Sequence, residues 1–109
     1  ITIDDLAAKE KRVDLIKMDI QGAEHFALNG MKKTLIKYPN LIIVTEFSPK
    51  MLTESGGNPE KFMDFFIEKD FSVKYFDEKR NKLLETTKEE LINNICINNN
   101  YVSLYIERI

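Results

Sequence analysis

At 109 residues the chain holds one domain at most, at the small end of the roughly 100–200 residues usual for a domain. Its 43% hydrophobic and 31% charged residues exclude a disordered tail, a collagen-like repeat and a disulfide scaffold. Sixteen Lys and Arg against eighteen Asp and Glu leave a net charge of −2, which argues against nucleic acid as a partner, because phosphate-backbone binding shows as a strongly basic domain.

Residues 13–20 are β-rich and nearly continuously apolar, as expected of a strand covered on both faces in a parallel sheet. Helical spacing follows over 22–37, with Ala27, Leu28, Met31, Leu35 and Tyr38 along one side, and Pro39 forbids continuation. Residues 41–47 read as a second buried strand. The stretch 48–58 contains Pro49 and Gly56-Gly57 and reads as a long surface loop. Asn58-Pro59-Glu60 supplies a cap, a proline at the first helical position and a first-turn acid, opening an apolar helix that ends near Asp70. Its Phe62, Phe65 and Phe66 are core-packing residues. A third strand over 71–76, a polar turn over 77–81 and a return strand over 82–85 come next. Thr87 with Glu90 fits a capping box for a helix to about Ile95. Asn98-Asn99-Asn100 reads as a turn, and 101–107 as the final strand. The alternation predicts an α/β layer fold, its sheet mostly parallel with an antiparallel last strand. No internal repeat or domain boundary interrupts it.

Ligands of open parallel sheets bind beyond the carboxyl ends of the strands, and here that edge is polar. Lys17 and Asp19 share parity, so they point to one face. A lysine in a doubly covered strand is costly unless paired, and Asp19 is the nearest partner. The second strand ends in Thr45-Glu46; if the strands are neighbours, Glu46 stands close to Asp19. Two carboxylates and an ammonium thus reach the ligand edge, as a site or as a structural ion pair that fixes register. Gln21 shares the parity of Asp19 and can join as a neutral hydrogen-bonding group. Gly22 permits close backbone approach. Glu24 suits the helix terminus with or without a ligand. His25, the single histidine, is expected at the surface, with a general-base role as its sharper alternative. Cys96, between Ile95 and Ile97, reads as a buried small hydrophobe.

Other chemistries lack their residues. There is no Gly-x-Gly-x-x-Gly, phosphate loop, Cys-x-x-Cys, His-Glu-x-x-His or serine nucleophile elbow. No apolar run nears the roughly 18 residues of a membrane span, so no membrane partner is expected. One cysteine cannot form an internal disulfide, which fits a reducing, cytoplasmic location.

The run from Val13 to Glu24 resembles the signature of FkbM-type methyltransferases, roughly D-x-x-K-x-D-x-E-G-x-E. Asp14, Lys17, Asp19, Gly22 and Glu24 stand at matching spacing, followed by Leu41 to Val44, Glu46-Phe47 and Ser48-Pro49. Upstream, Thr2-Ile3-Asp4-Asp5-Leu6 is similar to the short segment that precedes the signature. Gln21 departs from the pattern, standing where the family usually has Glu. The resemblance implies a Rossmann-like class I sheet and S-adenosylmethionine as cofactor, with methyl transfer to a hydroxyl of a small-molecule or glycan acceptor. Asp19 would be the proton acceptor or orienting carboxylate, Lys17 would hold it and tune its pKa downward, and Glu46 would be a second acid on the acceptor side. Gln21, Gly22, Glu24, His25 and Ser48 would lie near substrate or cofactor, with 48–58 as a lid. No metal is assigned, although the oxygens of Asp19 and Glu46 suit Mg²⁺. The chain would be a single partial domain, the C-terminal half of such an enzyme, with the donor-binding half before Ile1, and inactive by itself. The outer edge of strand 13–20 would then be covered by an upstream segment or by a second copy. The alternative from another class is a non-catalytic binding or oligomerisation module using that open edge.

Overall fold

The computed structural model describes residues 1–20, 23–99 and 101–109. Its first element, α1 (Ile3–Ala7), is closed by a capping box in which the Thr2 hydroxyl accepts from the Asp5 N–H and the Asp5 carboxylate accepts from the Thr2 N–H. Strand β1 (Leu15–Met18) leads into α2 (Glu24–Leu28) and α3 (Lys32–Lys37), and β2 (Ile42–Phe47) returns parallel to β1, with Leu15 opposite Ile42 and Met18 opposite Thr45. After α4 (Pro49–Glu54) and α5 (Pro59–Ile67) come β3 (Phe71–Asp77) and β4 (Lys82–Glu85), an antiparallel hairpin. A helical stretch follows: α6 (Lys88–Glu90), a π-helical turn (Leu91–Ile95) and α7 (Cys96–Asn99). Strand β5 (Val102–Arg108) closes the chain.

The five strands lie in the order β1-β2-β5-β3-β4. The sheet is mixed, which corrects the expectation of a mostly parallel one. β5 inserts between β2 and β3, antiparallel to both, so β1–β2 is the one parallel ladder among the described strands. β3 still runs in the direction of β1 and β2, but β5 separates it from them. β5 turns Val102, Leu104 and Ile106 to the core, which fixes its register, and its two edges are paired by hydrogen bonds to β2 and to β3. Strand β1 lies at the edge of the sheet, with its outer side open as the sequence implied, but it is not covered on both faces: Leu15 is 57% exposed and only Met18 of its four residues is buried.

The expected helix over 22–37 is two helices, broken at Gly30-Met31. The break accommodates the N-terminal segment: a Cβ on Gly30 would lie 2.9 Å from Thr2 Cβ, and the Asp4 N–H donates to the Gly30 carbonyl. Helix α3 has no cap of its own. Asp4 supplies it from thirty residues away, accepting from the N–H groups of Lys33 and Thr34 and from the Thr34 hydroxyl at 3.3, 2.7 and 2.7 Å. Burial works to raise the Asp4 pKa, but these hydrogen bonds together with the Lys33 charge hold it below its ordinary value.

The segment 48–58 is not an open loop. Ser48 caps α4, with Pro49 at its first turn, and Gly56 takes the left-handed φ of 92° that leads the chain toward α5. Asn58 caps α5, whose Phe62, Met63 and Phe66 are buried. Phe62 stacks on Phe47 of β2, with centroids 5.7 Å apart, and Phe66 meets Phe71 of β3 edge-on, contacts worth about 0.5–1.5 kcal/mol each beyond the area buried. Downstream, Asn98 and Asn99 belong to α7 rather than to a turn, while Asn100 lies outside the described residues. Among the described residues no helix is long and apolar enough to cross a membrane.

Candidate functional site

The parallel register of β1 and β2 ends with Met18 beside Thr45. One residue further along each chain stand Asp19 and Glu46, and their carboxyl groups share a hydrogen bond. On the other side of β2, the antiparallel register sets Ser103 of β5 across from Glu46. These residues line a cleft of about 470 Å³ together with Lys17, Met18, Val44, Thr45 and Tyr101. The cleft lies at the carboxyl end of the parallel strands, where α/β proteins hold their ligands.

Two carboxyl groups in contact cannot both ionise cheaply. The hydrogen bond with Asp19 raises the Glu46 pKa most. Burial adds to it, as do the charges of Asp19 and Glu24, and together they bring it to about 6. Glu46 therefore keeps its proton, hydrogen-bonded to Asp19, up to about pH 6 and gives it up above that. A group poised there can take up and release protons in the working range of most enzymes.

Lys17 behaves differently from the sequence expectation. It is exposed and makes no ion pair among the described residues. It lines the cleft without clamping Asp19, and Asp19 faces Glu46 instead. The pairing argument assumed a doubly covered strand; on an edge strand a lysine remains hydrated and needs no partner.

The remaining candidates divide. Glu24, 2% exposed at the start of α2, lies close enough to Glu46 for its charge to oppose ionisation there. His25 is half-buried, in keeping with a partly exposed position. Its ring lies 4.0 Å from that of Phe26, and a Cβ added to Gly57 would come within 2.8 Å of it, so it packs on the α4–α5 connection and does not line the cleft. Ser48 is buried as the cap of α4 and is likewise outside the cleft lining. Gln21 and Gly22 lie outside the described residues. Tyr101, Ser103 and Thr45 belong to the cleft but were not singled out from the sequence. For Ser103 the signal would have been an antiparallel pairing of the last strand with 41–47.

Among the described residues no group of three or more His, Cys, Asp or Glu side chains could hold a metal ion. Cys96 is buried, and burial pushes its thiol up to about 11, which removes it as a nucleophile at neutral pH.

No curated protein and no solved structure matches the chain. The methyltransferase FkbM domain matches residues 1–87. That span contains the N-terminal cap, both parallel strands and the Asp19–Glu46 pair. By this match over most of its length the chain belongs to the FkbM methyltransferase domain family.

Proposed function

We propose that this chain carries the acceptor-side proton-transfer site of an S-adenosylmethionine-dependent O-methyltransferase with a Rossmann-like sheet, of which it forms the C-terminal half. The observation that carries the reading is the hydrogen-bonded Asp19–Glu46 pair at the carboxyl ends of the parallel strands. The two carboxyl groups face the cleft with Ser103 and Tyr101 beside them, an arrangement able to hold a hydroxyl group and receive its proton.

When bound, S-adenosylmethionine supplies an electrophilic methyl group on a positively charged sulfonium. The chain's residues suit the reactive end of such a donor: the acidic lining is complementary to positive charge, and Asp19 and Glu46 are the groups that would face it. The sequence contains no Gly-x-Gly-x-x-Gly, so nothing here is assigned to the adenosine. The ionised carboxylate of the pair would take the proton from the O–H of an acceptor hydroxyl held in the cleft, becoming the carboxylic acid. Glu24 keeps the local potential negative and so favours proton uptake by Glu46. Lys17, exposed in the lining of the cleft, adds a hydrated positive charge there rather than a clamp on Asp19.

The test combines donor binding and turnover. S-adenosylmethionine is titrated into the 109-residue chain and into an N-terminally extended form, and Asp19→Asn is made in whichever form turns over. Turnover should fall at least about a hundredfold while circular dichroism and melting stay unchanged. Joint loss of activity and fold would make Asp19 architectural, and full activity in Asp19→Asn would remove the proton-transfer role.

A further inference from the structure

A second hollow, of about 460 Å³, opens between the β3–β4 turn, the π-helical turn and the start of β5. Its volume falls within the roughly 300–1,000 Å³ of small-molecule sites. β3 and β5 run antiparallel with Tyr75 opposite Leu104, so the next step along the two strands brings Phe76 beside Ser103. Val73, Val102 and Leu104 are turned to the core. Phe76 and Tyr101 have the opposite parity and line the hollow, 36% and 53% exposed. Two large rings are thus left without cover at one place.

The charge around these rings is mainly of one sign. Asp77, Glu78 and Glu90 line the hollow against the single ammonium of Lys79, an excess as large as the net charge of −2 on the entire chain. Asp77 is partly compensated: it accepts from the N–H groups of Lys79 and Arg80 at 3.0 and 3.3 Å, with the Arg80 guanidinium 3.9 Å away. Glu90 accepts from the neutral side-chain amide of Asn94 at 2.9 Å, which leaves its charge in place. Glu78 is exposed, and among the described residues no ion pair engages its carboxylate. The chain's own cations do not cover the rings either. The three cation–π contacts among the described residues lie on Tyr38, Phe65 and Phe71, all outside the hollow.

We propose that this hollow binds a primary alkylammonium ion, its N–H groups on Glu78 and Glu90 and its alkyl body against Phe76 and Tyr101. The site is separate from the proton-transfer role of Asp19 and Glu46 and does not depend on it. An ammonium is drawn to the face of an aromatic ring, and its three donors need the acceptors that carboxylates supply. Negative charge in the wall disfavours an anion, and a neutral ligand gains nothing from the excess. A bare metal ion fits less well. Magnesium and calcium need several oxygens converging at about 2.0–2.6 Å, and among the described residues no group of three or more such side chains could hold one. Carboxylates set on the β3–β4 turn and on α6, with rings between them, suit a cation that has an apolar body.

The experiment reads binding alone, at neutral pH and low salt. The isotope-labelled full chain is titrated separately with n-pentylamine, n-pentanol, tetramethylammonium and magnesium chloride, and amide shifts are followed. Pentylamine should shift the Phe76, Glu78 and Tyr101 signals and bind at least about fivefold more tightly than each of the others. Glu78→Gln should weaken it about threefold to fivefold, the range of one exposed ion pair. Phe76→Leu, which keeps an apolar side chain but loses the ring, should weaken it about threefold. Glu68→Gln makes the same charge change at an exposed position beyond α5 and should leave the affinity unaltered. Unshifted signals elsewhere in the spectrum establish that the variants are folded. Absence of binding, equal binding of pentanol, preference for tetramethylammonium or magnesium, or an equal loss in Glu68→Gln overturns the proposal. Asp19→Asn should bind pentylamine within about twofold of the parent, so a failed proton-transfer role and a failed amine site are separate results. A marked loss in Asp19→Asn would seat the amine in the carboxylate cleft and overturn the assignment to this hollow.

Discussion

Glu46→Gln removes one ionisable carboxyl from the strand ends while nearly preserving its shape. In the folded protein Glu46 titrates at about 6 against an ordinary value of 4.5. Between these values the folded state binds more protons than the unfolded chain, so stability falls as pH rises through this range. The contribution is fully present below 4.5 and is gone above about 6, where the ionised Glu46 faces Asp19 and Glu24. A rise of that size corresponds to about 2 kcal/mol, and solvent at a partly exposed group cuts this to about 1 kcal/mol. The glutamine variant has no proton to lose. Urea melts should therefore show it nearly as stable as the parent at about pH 4 and about 1 kcal/mol more stable at about pH 8, with m-values unchanged. The parent's kcat/KM should rise with pH through about 6, as the proton leaves Glu46, and the variant should lose both that limb and most turnover. An equal stability difference at both pH values would refute the raised Glu46 pKa, since it would mean Glu46 does not feel its neighbours' charges.

Three further outcomes test other parts of the structure. Asp4→Ala should cost about 1–2 kcal/mol as a lost helix cap; because the Asp4 pKa is lowered, the difference should be present above 3.8 and shrink as pH falls below it, as urea melts at neutral and acid pH would show. Gly57→Ala should destabilise by about 1–3 kcal/mol through overpacking on the His25 ring; His25→Ala in the same chain should restore much of the loss, and a double-mutant cycle without coupling would refute the contact. Cys96, buried with its thiol pushed up to about 11, should resist a thiol reagent in the native protein and react once urea unfolds it, so rapid native labelling would contradict its burial.

How much of this was legible in the sequence depended on whether the determining contact was local. Asn58, Pro59 and Thr87 mark real helix starts, because a cap acts within three residues. The juxtaposition of Asp19 and Glu46 followed from two strands of similar phase, and it needed only that they be neighbours. Long-range features were hidden. Asp4 caps α3 from thirty residues away, so the Thr2-Ile3-Asp4-Asp5-Leu6 segment could be matched to a family but not given a task. The helix break at Gly30 is set by the close approach of Thr2, which no periodicity reveals. The strand order was likewise illegible, since β5 pairs on both sides with distant segments, and with it went Ser103 and Tyr101. The error about Lys17 has the same origin: an apolar run reports that a strand is β-rich, not whether both of its faces are covered by distant segments.

That edge position has a consequence for the site. β1 is held by a single ladder, four residue pairs with β2, whereas β2 is held on both sides and its far ladder runs the full length from Ile42 to Phe47. The two halves of the acid pair are thus unequally supported: Glu46 sits on a central strand, and Asp19 follows an edge strand whose Leu15 faces solvent. The pKa of Glu46 depends on the position of Asp19 more than on anything else, so it is tied to an edge strand held by one ladder. Whatever pairs with the outer edge of β1 would fix Asp19 more firmly and exclude water from the pair. Both effects strengthen the interaction that raises the Glu46 pKa. Hydrogen exchange should accordingly be faster in β1 than in β2, and the Glu46 titration should move upward when the outer edge of β1 is covered. Equal protection of the two strands would mean that the edge is already secured by other means.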